Sequence, residues 1–281
     1  MPMTDTDRYI ISSGIITFNI IGLFGNANVI YAHYRMPALR TRFGILLTLL
    51  CITQSICLMS EPITAIYSYS RIPVKNKYLN IRRTTCFTFF SIGIFSHCAL
   101  TGLTTSISVD LFMAVVFPLR HLRYQTLPYL LVLSIPTMIY GCSVITVAII
   151  TMDSQIVPIC NIPLALKGLA MKCWYYGAFM FGTVILVTYN GAYQSSTTIE
   201  KKAIRSISVL VVVFVVTRFL GTVSSNILIL AGVNTETVEL VQSYNVYIAL
   251  MNYSTTFYIC IFRSAEYRRI FGKQIKRLIG I

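Results

Sequence analysis

Seven stretches of this chain are apolar almost without interruption, at about residues 10–34, 44–68, 86–117, 126–150, 169–193, 204–231 and 239–262, with short polar connections between them. A bilayer core of roughly 30 Å takes about 20 helical residues to cross, so each run is long enough to span it. Beyond the seventh run the pattern changes. Tyr267, Ile270, Phe271, Ile275 and Leu278 recur at helical spacing with cations between them, which predicts an amphipathic helix over about 264–279 lying in the headgroup layer. The expected architecture is an all-α membrane protein, a seven-transmembrane helix bundle with a short amphipathic helix after the last span, residues 1–281 forming one domain.

Composition supports lipid as the solvent. Hydrophobic residues make up 56% of the chain and charged residues 11%, a surface that water would aggregate. The net charge of +14 is spread unevenly. Of the twenty-three Lys and Arg, fourteen fall on one face, from Arg35, Arg40 and Arg42 through Arg120, Arg123 and Arg205 to Arg277, and eight on the other, with Arg218 inside a span. The richer face is expected to be cytoplasmic and the amino end outside. Five cations between Arg71 and Arg83 oppose that rule locally; they read as a solvated loop or as a docking patch for an anionic ligand or partner. The first run reads as a retained span, because the polar Met1–Tyr9 end carries no cleavable signal pattern. In the tail each Lys or Arg beside an anionic leaflet contributes on the order of 1 kcal/mol, which holds that helix to the membrane, and no cysteine follows Cys260 to carry a palmitoyl chain.

Several function classes drop out. No polar, basic domain exists to bind nucleic acid. No Gly-rich phosphate loop and no H-E-x-x-H occurs, and His33, His97 and His121 are far apart in sequence, so no enzyme, cofactor or metal is expected. The eight cysteines show no C-x-x-C spacing; Cys86, Cys160 and Cys173 fall near outer boundaries, and the other five read as small core residues. Asn252-Tyr253-Ser254 fits the glycosylation pattern but lies inside the seventh run, out of reach of a lumenal transferase. Nothing sets an oligomeric state.

Chemistry gathers inside the spans. Glu61 and Arg218 are charges where lipid exacts about 2.5 kcal/mol or more unless they pair or face a cavity; three readings stay open, an ion pair linking the second and sixth helices, a cavity lining, or protonation of Glu61 and snorkelling of Arg218 toward a headgroup. His97 shares a helix face with Phe90, Gly93 and Ile94 that looks into the outer cavity. On the sixth run Arg218, Gly221, Thr222 and Ser225 repeat at helical spacing, as do Gln242, Ser243 and Tyr247 on the seventh, which points to a pocket of mixed polarity between them. Cys86 and Asp110 stand 24 positions apart, about 36 Å of helix, one at each membrane face.

These residues resemble a family. Gly25-Asn26, the Cys86 to Asp110 spacing, Phe117-Pro118-Leu119-Arg120 and the terminal helix are similar to rhodopsin-like G-protein-coupled receptors. More closely, Phe24-Gly25-Asn26, Cys57-Leu58 with Glu61, Arg83-Thr-Thr-Cys86-Phe87, Asp110 through Pro118, and Asn252-Tyr253 through Arg263-Ser-Ala-Glu-Tyr-Arg-Arg resemble the nematode chemosensory receptors of serpentine receptor class sx. The resemblance implies a plasma-membrane receptor, carried in sensory cilia, that takes a small odorant or peptide ligand from outside and activates a heterotrimeric G protein. It also implies a disulfide from Cys86 to the second outer loop, with Cys160 the better partner because Cys173 begins the fifth helix, and a switch role for Asp110, pairing with Arg120 or Arg123.

The departures are several. Gln54 replaces the second-helix Asp and brings no charge for a sodium ion; Leu111 replaces the Arg after the third-helix acid. Thr256-Phe257-Tyr258-Ile259-Cys260 replaces the seventh-helix Asn-Pro-x-x-Tyr, and Arg218 and Leu220 replace the sixth-helix Trp and Pro. A receptor-shaped decoy or partner that does not signal is therefore a rival reading. A transporter is a weaker one, since seven spans without an internal repeat do not make two related halves.

Overall fold

The computed structural model describes residues 4–70, 81–157, 160–197, 209, 211–217, 221, 227–228, 231–265 and 267–272. Helix α1 (Asp5–Arg35) starts at a capping box, in which the Thr4 hydroxyl accepts from the Asp7 N–H and the Asp7 carboxylate accepts from the Thr4 N–H. At its other end Arg40 reaches back, Nε donating to the His33 carbonyl (3.2 Å) and Nη2 to that of Tyr34 (2.5 Å), which satisfies carbonyls the helix leaves open. α2 (Arg42–Ser70) follows, with Pro62 in its second half.

α3 (Arg83–Val116) stops because Pro118 disfavours helical geometry at Phe117, which turns to φ −128°. Pro118 then opens a short helix, α4 (Pro118–Arg123), and α5 (Thr126–Ile150) runs back across. The connection after α5 holds α6 (Ile162–Ala165), and α7 (Gly168–Ser195) begins at a glycine with φ +49°, a left-handed turn that other residues rarely adopt. The seventh run is two helices, α8 (Thr235–Ser254) and α9 (Thr256–Arg263), broken at Thr255, and residues 267–272 are helical beyond them. Among the described residues, five helices (α1, α2, α3, α5 and α7) are long and apolar enough to cross a membrane.

The bundle turns apolar side chains outward and polar ones inward. Ile20, Ile92 and Val187 are 67%, 70% and 65% exposed, while α3 buries Ser96, His97, Thr101, Thr104, Thr105, Ser106, Ser108 and Asp110. Water would reverse that arrangement; lipid favours it, because apolar surface loses nothing in hydrocarbon and hydroxyls find partners inside. Thr101, Thr104, Thr105 and Ser106 each donate to the carbonyl one turn back, and Ser106 also reaches the Leu133 carbonyl of α5 (3.0 Å). α3 is the central column, with α2, α5 and α7 packed around it and α1 between α2 and α8. Close approach needs small residues: a Cβ placed on Gly93 would stand 2.8 Å from Ser60 Oγ, so α2 and α3 meet at that point only because Gly93 has none.

Candidate functional site

The end of the bundle that carries Cys86, the outer end in the expected orientation, is closed by a lid. Cys86, at the top of α3, is bonded to Cys160. Just before α3, β1 (Ile81–Arg82) pairs antiparallel with β2 (Ile156–Val157), Ile81 facing Val157 and Arg82 facing Ile156. Arg83 fastens the same loop three times: its N–H donates to the Gln155 carbonyl (2.8 Å), Nε to that of Leu164 (3.1 Å), and Nη1 to Asp153 Oδ1 (2.5 Å). Lys167 grips the other Asp153 oxygen. That lysine, with help from the Gln155 N–H and the Arg83 charge and against some desolvation, holds the Asp153 carboxyl below its ordinary range. The lid also has an apolar underside: Val157, Cys160, Ile162, Ala165 and Leu166 are buried in one cluster with Phe87, Phe90 and Trp174.

Beneath the lid three helices bring rings together. The His97 imidazole of α3 lies 5.3 Å from the Trp174 ring of α7 and 5.8 Å, edge-on, from the Tyr253 ring of α8. Tyr140 of α5 donates its hydroxyl to the Trp174 carbonyl (2.6 Å), which fixes the start of α7 at this level. Phe90 is fully buried one turn above Ile94, and Glu61 is 5% exposed on α2. Phe90 and His97 thus share a site with Trp174 and Tyr253, two residues the sequence had not singled out. Each is an aromatic in an apolar run, a signal that any lipid-facing ring gives equally.

The other residues expected near the pocket are placed differently. Gln242 and Ser243 are buried on α8. Tyr247 lies on the seam with α1, where its hydroxyl donates to the Ile10 carbonyl (2.5 Å) and its ring stacks near Tyr244, which in turn donates to Asp7 (2.7 Å). Gly14 leaves the room for it, since a Cβ there would run into the Tyr247 ring. Arg218 and Thr222 lie outside the described residues, as do Ser225, most of the Arg71–Arg83 loop and the tail cations Lys273, Lys276 and Arg277.

At mid-bundle the break in the seventh run is held by amides. The carbonyls of Asn252 and Tyr253, just before Thr255, accept from Gln54 Nε2 (3.2 Å) and Asn26 Nδ2 (3.2 Å). Thr256 donates to Gln54 Oε1 (3.0 Å) and Asn252 Nδ2 to Thr217 Oγ1 (2.8 Å). Beside this network Leu50, Gln54, Thr104, Phe214 and Asn252 line a cavity of about 10 Å³, the room one water needs. Among the described residues no group of three or more His, Cys, Asp or Glu could hold a metal ion.

The inner end of α3 is latched. Asp110, 5% exposed, bonds His121 Nε2 of α4 through Oδ1 at 2.9 Å. The sequence pointed to Arg120 or Arg123 as its partner; the structure puts His121 there instead. Residues of a helix advance about 100° each, so once His121 faces Asp110, its neighbours at 120 and 123 point away. Arg123 is exposed, and Arg120 lies 5.8 Å from the Phe117 ring. Arg42, at the start of α2, completes the latch by donating to the His121 and Tyr124 carbonyls while its guanidinium sits 5.3 Å over the Tyr129 ring. The tail docks beside it: Phe271 is buried 4.7 Å from the Phe257 ring, and the Tyr267 hydroxyl meets His33 Nε2 at 3.0 Å.

Two findings from known proteins bear on this arrangement. A family model described as serpentine type 7TM GPCR chemoreceptor Srsx matches residues 19–275. No curated protein matches the chain.

Proposed function

The chain belongs to the Srsx family of serpentine seven-transmembrane chemoreceptors, and on that footing we propose that it is a plasma-membrane receptor, amino end outside, that binds a small odorant or peptide ligand and activates a heterotrimeric G protein. The observation that carries this reading is the anatomy of α3. One helix bears the lid disulfide at Cys86, the ring cluster at His97 and the inner latch at Asp110, so a ligand beneath the lid touches the same rigid rod that positions α4. A ligand that binds two bundle arrangements unequally shifts their populations, and a rod spanning the membrane transmits that shift to the inner face. Placement in sensory cilia follows the chemosensory role.

A receptor-shaped partner or decoy is the second reading, favoured by Leu111, which leaves the inner end of α3 without the Arg that rhodopsin-like receptors carry after this acid. One cell line expressing the chain, challenged with odorant and peptide panels, separates the readings. Ligand-dependent nucleotide exchange on a G protein supports the receptor; surface binding without exchange supports the decoy; solute flux without either points to a carrier. Tag accessibility on intact cells tests the orientation, and finding both termini in one compartment defeats it.

A further inference from the structure

The ring cluster lies beside a carboxylate that the bundle leaves without a cation among the described residues. The ion pairs there are Arg83–Asp153, Lys167–Asp153 and His121–Asp110, two in the lid and one at the inner latch, and none involves Glu61. Yet Glu61 is 5% exposed in the outer half of α2. A buried carboxylate in a span is a costly group that calls for a cation or a wet cavity.

Its position follows from two contacts. Glu61 is seven residues, two turns, beyond Gln54 and so on the same stripe of α2. Gln54 faces the bundle interior, bonding the Asn252 carbonyl and Thr256. The next residue back, Ser60, touches α3 at Gly93. Phe90 lies three residues above Gly93 and His97 four below, so along the axis Glu61 stands about 3 Å from the level of Phe90 and about 7.5 Å from that of His97. His97 is the ring that meets Trp174 and Tyr253. The interior at this level therefore offers one carboxylate, several aromatic rings and an apolar lid.

We propose that the ligand is a small organic cation, an ammonium whose charge is met by Glu61 and whose hydrocarbon body packs on His97, Trp174 and Tyr253. A carboxylate supplies the charge partner and aromatic rings add attraction for a cation, more strongly once both are out of water. A neutral odorant would leave the carboxylate desolvated and unmet, and an anion would be repelled. The proposal rests on the receptor reading only in that the ligand reaches this level from outside.

The sequence provides a reporter, because Trp174 is the single tryptophan of the chain. The purified full chain in lipid nanodiscs is titrated with choline and phenethylammonium, and with their uncharged counterparts dimethylbutanol and phenylethanol, while Trp174 emission is followed. At least one ammonium should move the emission saturably and at least tenfold more tightly than its counterpart. Glu61→Gln should abolish that preference while the protein stays monodisperse, and Glu61→Asp should retain part of it. Equal affinity for the uncharged compounds, an unchanged preference in Glu61→Gln, or no saturable ammonium response overturns the proposal. So does recovery of ligand response in the charge swap Glu61→Arg with Arg218→Glu, which would place the cation within the chain. Ammonium binding without nucleotide exchange would sink the signalling reading and leave this one standing; exchange driven by a neutral odorant alone would do the reverse.

Discussion

Replacing His121 with glutamine and Asp110 with asparagine, singly and together, measures the inner latch as a double-mutant cycle. The Asp110 side chain is 7% exposed and that of His121 16%, so the 2.9 Å bond between them is largely shielded from water. A hydrogen bond to a charged group contributes about 1.5–3 kcal/mol, and partial exposure argues for the lower end. Losing either partner also leaves the other buried without its match. Each single substitution should therefore loosen α4 by about 1.5 kcal/mol, roughly a tenfold shift between latched and unlatched populations, while the double substitution should cost little more than one. Thermal unfolding in nanodiscs reads the stability. Basal nucleotide exchange on a co-reconstituted G protein reads the population and should rise in the single variants. Coupling below about 0.5 kcal/mol would mean that the two side chains act independently, and the latch would be refuted as a unit.

Three further outcomes follow from the lid and the packing. Cys86→Ala, Cys160→Ala and the double variant should be equally destabilised, by at most about 4.5 kcal/mol from the entropy of a closure 74 residues apart; a double variant worse than either single one would show that each thiol matters by itself. Because Lys167 and Arg83 hold the Asp153 carboxyl below its unfolded value, their contribution is complete above the ordinary carboxylate range, near pH 4, and is lost as pH falls through the lowered value. Hydrogen-exchange protection over 153–167 should accordingly drop in acid, and Asp153→Asn should be weaker at neutral pH and flat below it; a parallel acid response in both proteins would exclude Asp153 as the cause. Gly93→Ala should cost about 1–3 kcal/mol by forcing Ser60 aside, and Ser60→Gly should restore most of it in a melt; absence of rescue would show that the two helices do not meet there.

The candidate site was legible in part, and the two ends of α3 show the limit. The lid cystine could be read because Cys86 begins an apolar run and Cys160 lies between two, where a thiol stands out and family resemblance names its partner. The inner acid could be read as a position, but its partner could not. Which of Arg120, His121 and Arg123 turns toward Asp110 depends on how far α4 is rotated, and one residue changes that by about 100°. Tyr247 shows the same at the other face: it belongs to the seventh run, yet Gly14 opens a place for it against α1.

The sequence by itself determined the solvent, the helical class and the seven-span family plan, because lipid satisfies no backbone polar group and so makes hydropathy along the chain a direct record of helices. Only the tertiary structure decided that Trp174 and Tyr253 meet His97, that amides of α1 and α2 hold the break at Thr255, and that Arg42 fastens α4. Those are lateral choices. In a bundle whose outward faces are uniformly apolar, they follow from small-residue gaps and from where buried polar groups find partners, which one-dimensional hydropathy does not carry.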